Sequence, residues 1–290
     1  MRIQMIGNSQ AGKTTFMAAM YHVMAEEGGY QIRLSDYGQR QNLERLGNDL
    51  ARGIYPPQTA VQSEYNFDFL YDDVEFFKFK WMDYRGGALM ERASESEVSA
   101  DVYKCSNESD SMIVFIDGST MNDRASLRYW KRLLIFMNNF VANTNQNNPR
   151  ALVIMVTKMD LVKEDDILGT LVGQEIGKFI RNIDNNYLHG MVCFTATNKN
   201  TYGNVVYPFL WSMRLPLMKE AHQKLDELND AIEEWNNRSW LEKLLSEIFG
   251  SELMARIKHL QALVEYMHAH FEHISKTISD DPESCACILF

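Results

Sequence analysis

Residues 7–14, Gly-Asn-Ser-Gln-Ala-Gly-Lys-Thr, have the spacing G-x-x-x-x-G-K-[ST], preceded by the strand-type run 2–6 and followed by a helix-type stretch over 13–27. The first amides of a helix lack intrahelical acceptors, and the helix dipole adds partial positive charge, so anionic oxygen is the natural occupant of such a turn. Gly7 and Gly12 allow the bends and the close approach of backbone to ligand. The amides of residues 9–14, from Ser9, Gln10, Ala11 and Gly12 to Lys13 and Thr14, form the expected cradle, with Thr15 beside it. Lys13 would reach the outer phosphates and stabilise charge during transfer, and the Thr14 hydroxyl would coordinate a magnesium ion bridging them. A chance glycine-rich turn is the plain alternative, and the rest of the chain must decide between the two.

Three downstream stretches follow in a compatible order. The run VEFFKFKWM ends in DYRGG, which sets Asp83 and Gly86 in D-x-x-G spacing at the carboxyl end of a strand. Asp83 would hold magnesium through water, and the Gly86 amide would sense the terminal phosphate. The run ALVIMV enters TKMD, residues 157–160. Guanine presents two N–H donors on one edge, which a fixed carboxylate can accept together; Asp160 suits that role, while the aliphatic stem of Lys158 covers the base and Thr157 opens the turn. A later strand ends in FTATNK, where the backbone of Thr195, Ala196 and Thr197 could meet the guanine carbonyl. Taken alone, each short motif also suits an ordinary solvated turn.

With GNSQAGKT, DYRG, TKMD and TAT in this order over residues 1–213, the chain resembles the Ras-like, translation-factor-related class of P-loop GTPases. Within that class, GNSQAGKTTFMAAMYHVM and GIYPPQTAVQSEYNFDF look like GTPase domains of prokaryotic conflict and defence systems. The resemblance implies GTP or GDP and Mg2+ as ligands. It also implies a first-switch threonine completing the magnesium shell with Thr14 and Asp83, which falls on Thr59 in YPPQT. The alternative for Thr59 is a plain turn residue after Pro56 and Pro57. Three departures stand out. The stretch between Lys13 and Thr59 is long and holds an extra helix-type segment, Thr157 stands where many relatives carry Asn, and Gly87 stands where many carry a water-orienting Gln. A glycine cannot orient water, so hydrolysis would be slow unless Glu91, a partner's arginine or a potassium-type ion completes the site. Arg85 and Arg92 lie in the same segment and read as solvent-facing.

The elements that must position these residues read as α/β. Strand-type runs lie near 2–6, 64–71, 74–82, 112–117, 151–156 and 191–195, with helical stretches at 13–27, 39–52, 122–143, 164–184 and 206–213. The spacing predicts a P-loop three-layer fold with a mostly parallel six-stranded sheet. Asp72 and Asp73 turn a hairpin, giving one antiparallel edge strand. Residues 215–276 carry apolar residues at helical spacing, punctuated near Pro216, Asn236, Asn237 and Gly250. The expected organisation is a GTPase domain over 1–213, a helical extension over 214–276 and a tail over 277–290.

The 290 residues are 46% hydrophobic and 23% charged, as in an ordinary globular protein, and the net charge of −10 argues against direct nucleic-acid binding. No apolar run is long enough to span a bilayer, no signal segment opens the chain, and four cysteines without framework spacing suit a reducing cytoplasm. The ending Cys287-Ile288-Leu289-Phe290 has the form of a prenylation box with Cys285 nearby; an acidic neighbourhood and the lack of a polybasic run weigh against it and favour an apolar or packed terminus. Lipidation would make the protein peripheral to a membrane. His259, His268, His270 and His273 lack a supporting ligand set, and only His270 and His273 share a face, so helix packing is favoured over metal. The reading is a magnesium-dependent GTP switch with slow hydrolysis that works through a protein effector or activating protein. A non-hydrolysing GTP scaffold, and a nucleotide-driven homo-oligomer or membrane-associated assembly, are its alternatives.

Overall fold

The computed structural model describes residues 1–25, 29–57, 63–83, 97–162, 167–198, 201–239, 252–280 and 287–290. In chain order the strands are β1 (Arg2–Gly7), β2 (Tyr30–Leu34), β3 (Ser63–Tyr71), β4 (Val74–Asp83), β5 (Ser111–Asp117), β6 (Arg150–Thr157), β7 (Leu188–Phe194), β8 (Ala196–Asn198), β9 (Thr201–Gly203) and β10 (Cys287–Leu289). The helices are α1 (Lys13–Met24), α2 (Tyr37–Ala51), α3 (Glu97–Glu108), α4 (Arg124–Ala142), α5 (Leu171–Arg181), α6 (Val206–Asn237) and α7 (Glu252–Asp280).

Eight strands form one sheet in the order β10-β7-β6-β5-β1-β4-β3-β2. The five from β7 to β4 are parallel, with β3 antiparallel to β4. All six strands expected from the sequence are present. The sheet exceeds the six-strand expectation because β2 pairs beyond β3 and β10 pairs beyond β7, both antiparallel, so residues 64–71 do not form the edge. The β3–β4 hairpin turns at Asp72 and Asp73, whose φ angles of 44° and 64° suit the tight right-twisted hairpin turn. The small β8–β9 hairpin and α3 were not foreseen.

Alternation along the central strands divides the core. Ile3 and Met5 of β1 and Val153 and Met155 of β6 face α1, α6 and α7, while Ile6, Leu152, Ile154 and Val156 face α4 and α5. On α4 the buried residues Tyr129, Trp130, Leu133, Phe136, Met137 and Phe140 recur every three or four positions, which makes one apolar stripe. On the other face the Phe209 ring of α6 stacks on Trp81 of β4 at 5.5 Å and 7°.

The helix expected over 206–213 runs on to Asn237 with Pro216 inside it, and the 213/214 division falls within this single helix. Beyond Leu217, α6 pairs with α7 through Leu228, Ala231, Leu253, Ile257 and Leu260. Of the apolar residues at helical spacing within 215–276, Trp240, Leu241, Leu244, Leu245 and Ile248 lie outside the described residues, as does Gly250. The helix expected over 164–184 spans Leu171–Arg181, and Thr170 caps it by accepting the Gly173 amide at 3.1 Å. No helix among the described residues is long and apolar enough to cross a membrane.

Candidate functional site

The parallel strands β1, β4, β5, β6 and β7 end along one edge of the sheet, and the expected site residues gather there. After β1 the chain turns through Gln10 at φ 63° and Gly12 at φ 88° before α1 begins. Gly12 supplies the left-handed turn that a side chain would strain, and its ideal Cβ would already touch Thr157 at 3.5 Å. Gly7 is required by packing: a Cβ there would meet Phe115 Cβ at 2.7 Å.

Lys13 is buried and donates to the carbonyl oxygens of Gly7 at 3.0 Å and Asn8 at 3.1 Å. Burial lowers its pKa, and the negative charge of Asp83 works against that. Asp83 ends β4, is 1% exposed and accepts a hydrogen bond from the Thr14 side chain. Burial raises its pKa to about 6, against the opposing effects of Lys13 and Thr14. Its Oδ1 accepts no hydrogen bond among the described residues. A sealed carboxylate with an unused oxygen, next to a threonine hydroxyl, fits a hard divalent cation, whose charge would offset the desolvation that Lys13 and Thr14 compensate only in part.

At the other end, the Thr157 hydroxyl lies 3.0 Å from the Ala11 carbonyl of the cradle and 3.1 Å from that of Ile116. Its one proton serves either, so Thr157 ties β6 to both the glycine-bracketed loop and β5. Lys158 takes the left-handed conformation at φ 57°, and its ammonium pairs with Asp117 at 2.6 Å. Asp160 follows on a 3-10 turn, Met159–Leu161. That turn is fastened to the end of β7, where the Met159 amide donates to the Thr195 carbonyl at 3.1 Å and the Thr195 amide donates to Val156 at 2.8 Å.

Between the two ends lies a cavity of about 430 Å³, the size range of small-ligand sites. Ser9, Gln10, Gly12, Lys13, Thr14 and Thr15 line its cradle end. Thr157, Lys158, Asp160, Thr195 and Thr197 line the opposite end. Gly7 and Ala11 sit behind the lining and accept from Lys13 and Thr157. Asp83 stands behind Thr14, and Ala196 lies in β8 between two lining threonines. Thr59 and Gly86 lie outside the described residues, as do Arg85, Gly87, Glu91 and Arg92.

Asp117 and Tyr55 contribute to the site without belonging to any of its sequence motifs. Asp117, the acid that fixes Lys158, ends the run MIVFID, and that position was its only signal. Tyr55, with Pro56 and Pro57, walls the cavity and donates from its hydroxyl to the Thr197 carbonyl at 3.1 Å. Two consecutive prolines after an aromatic residue mark a stiff segment and were the available cue.

The His270 ring packs among Tyr30, Tyr71, Phe76 and Tyr266, with the Tyr30 hydroxyl 3.0 Å from its Nδ1. Among the described residues no group of three His, Cys, Asp or Glu side chains converges as a metal site. Cys287 is buried as the first residue of β10.

A mostly parallel sheet whose first strand enters a glycine-bracketed loop and helix, with a lysine, a threonine and a strand-terminal aspartate around that loop, defines a P-loop GTPase-like protein. The family model described as Double-GTPase 1 matches residues 4–163, and the chain belongs to that family. No curated protein matches the chain. Among solved structures it is similar to the Arl6 small GTPase of Trypanosoma brucei with a bound nucleotide analogue, at 13% identity and TM-score 0.41 over 73% of this chain and 95% of that one. It is also similar to the signal recognition particle receptor SRb-GTP/SRX complex of Chaetomium thermophilum, at 12% identity and TM-score 0.39 over 68% and 90%. A third is the small coat GTPase SAR1 of Encephalitozoon cuniculi in complex with GDP, at 9% identity and TM-score 0.35 over 72% and 77%.

Proposed function

We propose that this GTPase-family protein is a magnesium-dependent GTP switch that hydrolyses its nucleotide slowly. Its state would pass to partners through residues 36–60 and 84–100 and through the helical element 214–276. The observation that carries the reading is a continuous cavity with a lysine and an amide-rich turn at one end and Asp160 at the other. Lys13 can exchange its two carbonyl acceptors for phosphate oxygens without leaving the loop. Asp160 can accept paired N–H donors from guanine, whereas adenine offers a ring-nitrogen acceptor at the same edge and would be repelled. Thr157 and Asp117 act through their neighbours: one holds the cradle against β6, and the other holds Lys158. Magnesium, when bound through Thr14 and Asp83, supplies charge neutralisation at the outer phosphates.

Slow turnover follows from Gly87, which offers no side chain to orient water, so an activating protein would complete the site. The same residue favours a second reading, in which GTP is a structural ligand that is never cleaved. Purified protein given equal GTP and ATP with magnesium should retain the guanine nucleotide and release phosphate, and Lys13→Ala should abolish retention. Retention of ATP in preference to GTP would refute the base assignment. Single-turnover phosphate release, with and without cell extract, separates the switch from the scaffold.

A further inference from the structure

The edge of the sheet farthest from β2 is closed by the C-terminal strand. β10 runs antiparallel to β7 in the register Cys287↔Cys193, Ile288↔Val192 and Leu289↔Met191. One residue further on, Gly190 and Phe290 exchange both backbone hydrogen bonds, at 2.7 and 3.0 Å. Hydrogen-bonded and non-hydrogen-bonded pairs alternate along an antiparallel ladder. Three steps from Gly190–Phe290, the Cys193–Cys287 pair is therefore non-hydrogen-bonded, the kind with the closer side chains. Such pairs have Cα atoms about 4.5 Å apart, within the span of roughly 4.4–6.8 Å that a disulfide bridges. Both cysteines are thiols, both are buried, and both belong to the same core layer, so their side chains leave the sheet on one face.

We propose that Cys193 and Cys287 form a cross-strand disulfide that staples the C-terminal strand to β7. Two S–H bonds break and one S–S bond forms. The two electrons and two protons pass to a low-molecular-weight disulfide such as oxidised glutathione, whose S–S bond is cleaved to two thiols. The exchange runs through a mixed disulfide. Cys287 is the entry point, because an outermost strand opens more readily than one with neighbours on both sides, and Cys193 then resolves the adduct. In a reducing compartment the bridge is reversible, so it reports oxidation and is not a permanent strut.

The staple acts on the ligand-bearing edge of the sheet. Cys193 leads directly into Phe194 and Thr195; the Thr195 carbonyl holds the turn that carries Asp160, and the Thr195 amide bonds Val156 of β6 just before that turn. The bridge also competes with any thioether-linked lipid on Cys287, since both require the same sulfur.

The test equilibrates the intact chain with oxidised and reduced glutathione at graded ratios, alkylates remaining thiols, and maps digests by mass spectrometry without reduction. The expected result is linked peptides containing Cys193 and Cys287, increasing with the oxidised fraction. The link should be absent in Cys287→Ser and retained in Cys285→Ser and Cys105→Ser. Oxidised wild type should melt several degrees above reduced protein, with no such rise in Cys287→Ser. Linkage of Cys193 to Cys285 would overturn the proposal. So would glutathione adducts without an internal link, or both cysteines recovered as thiols under conditions that oxidise the urea-unfolded chain.

Discussion

The Ser111 hydroxyl donates to the Ser212 carbonyl at 2.6 Å, and that carbonyl is the one Pro216 leaves without a donor inside α6. A helical carbonyl normally accepts from the amide four residues on, and proline has none. The side chain of a strand residue 101 positions away takes that place, so the helix continues unbroken through the proline. Ser111→Ala should destabilise the protein by roughly 1–3 kcal/mol, the usual loss when a buried acceptor goes unsatisfied. The same change in a Pro216→Ala background should be milder, because the alanine amide can serve Ser212. Urea denaturation of the four proteins in a double-mutant cycle reads the coupling, and additive losses would contradict the relationship.

Thr157 makes the corresponding link at the site, with its hydroxyl 3.0 Å from the Ala11 carbonyl. Thr157→Val keeps the shape and removes the donor. It should lower stability by about 1–2 kcal/mol and speed nucleotide release, because the cradle loses its tie to β6. Thr157→Ser should restore both. Stopped-flow release of a fluorescent guanine nucleotide, alongside thermal melts, checks the pair.

These two contacts show which parts of the molecule could be read from its sequence. The candidate phosphate cradle is local: its lysine, glycines and threonine lie within eight consecutive residues, and the strand before and the helix after carry their own periodicity. Asp160 and Thr195 were visible for the same reason, each at the end of an apolar run. What escaped depends on distant partners. The continuation past Pro216 needs Ser111, the Lys158 geometry needs Asp117, and the edge strands β2 and β10 are short runs whose pairing no local pattern declares. No local pattern marks the contact made by Tyr55, whose partner is a backbone carbonyl 142 positions away.

His189 should make the fold sensitive to acid. Arg214 stacks 3.9 Å above the Trp211 ring and donates to His189 Nδ1, and Trp211 donates to the His189 carbonyl at 3.2 Å. Burial, reinforced by the Arg214 charge, lowers the His189 pKa from 6.5 to about 4. The folded imidazole thus binds its proton less readily than the unfolded one. Its contribution is complete above pH 6.5 and is lost as pH falls through 4; solvent screening of the half-buried ring holds the change to roughly 1–2 kcal/mol. His189→Gln keeps an acceptor for Arg214 without titrating. Between neutral pH and pH 4.5 the wild type should lose stability relative to the variant, as measured by urea denaturation at both values. Equal pH slopes would show that His189 carries no such linkage.

Asp83 pulls the opposite way over much of the same range, which makes it separable. Its ordinary pKa is 3.8 and its folded value about 6, so the folded state holds the extra proton between those limits. Its stabilising contribution is full below pH 4 and disappears as pH rises through 6, a change of about 3 kcal/mol for a sealed carboxyl. Above that pH the nucleotide-free protein carries a buried, poorly compensated charge. Asp83→Asn removes it, so with chelator present at pH 7.5 the variant should be more stable than wild type by up to about 3 kcal/mol, with the advantage vanishing near pH 4. Magnesium and GTP should reverse the order: the wild type gains a cation beside Asp83 and Thr14, and the variant gains less. Thermal melts across pH, with chelator and then with magnesium and GTP, read both effects. A variant less stable than wild type in chelator at pH 7.5 would mean that Asp83 is already compensated within the fold.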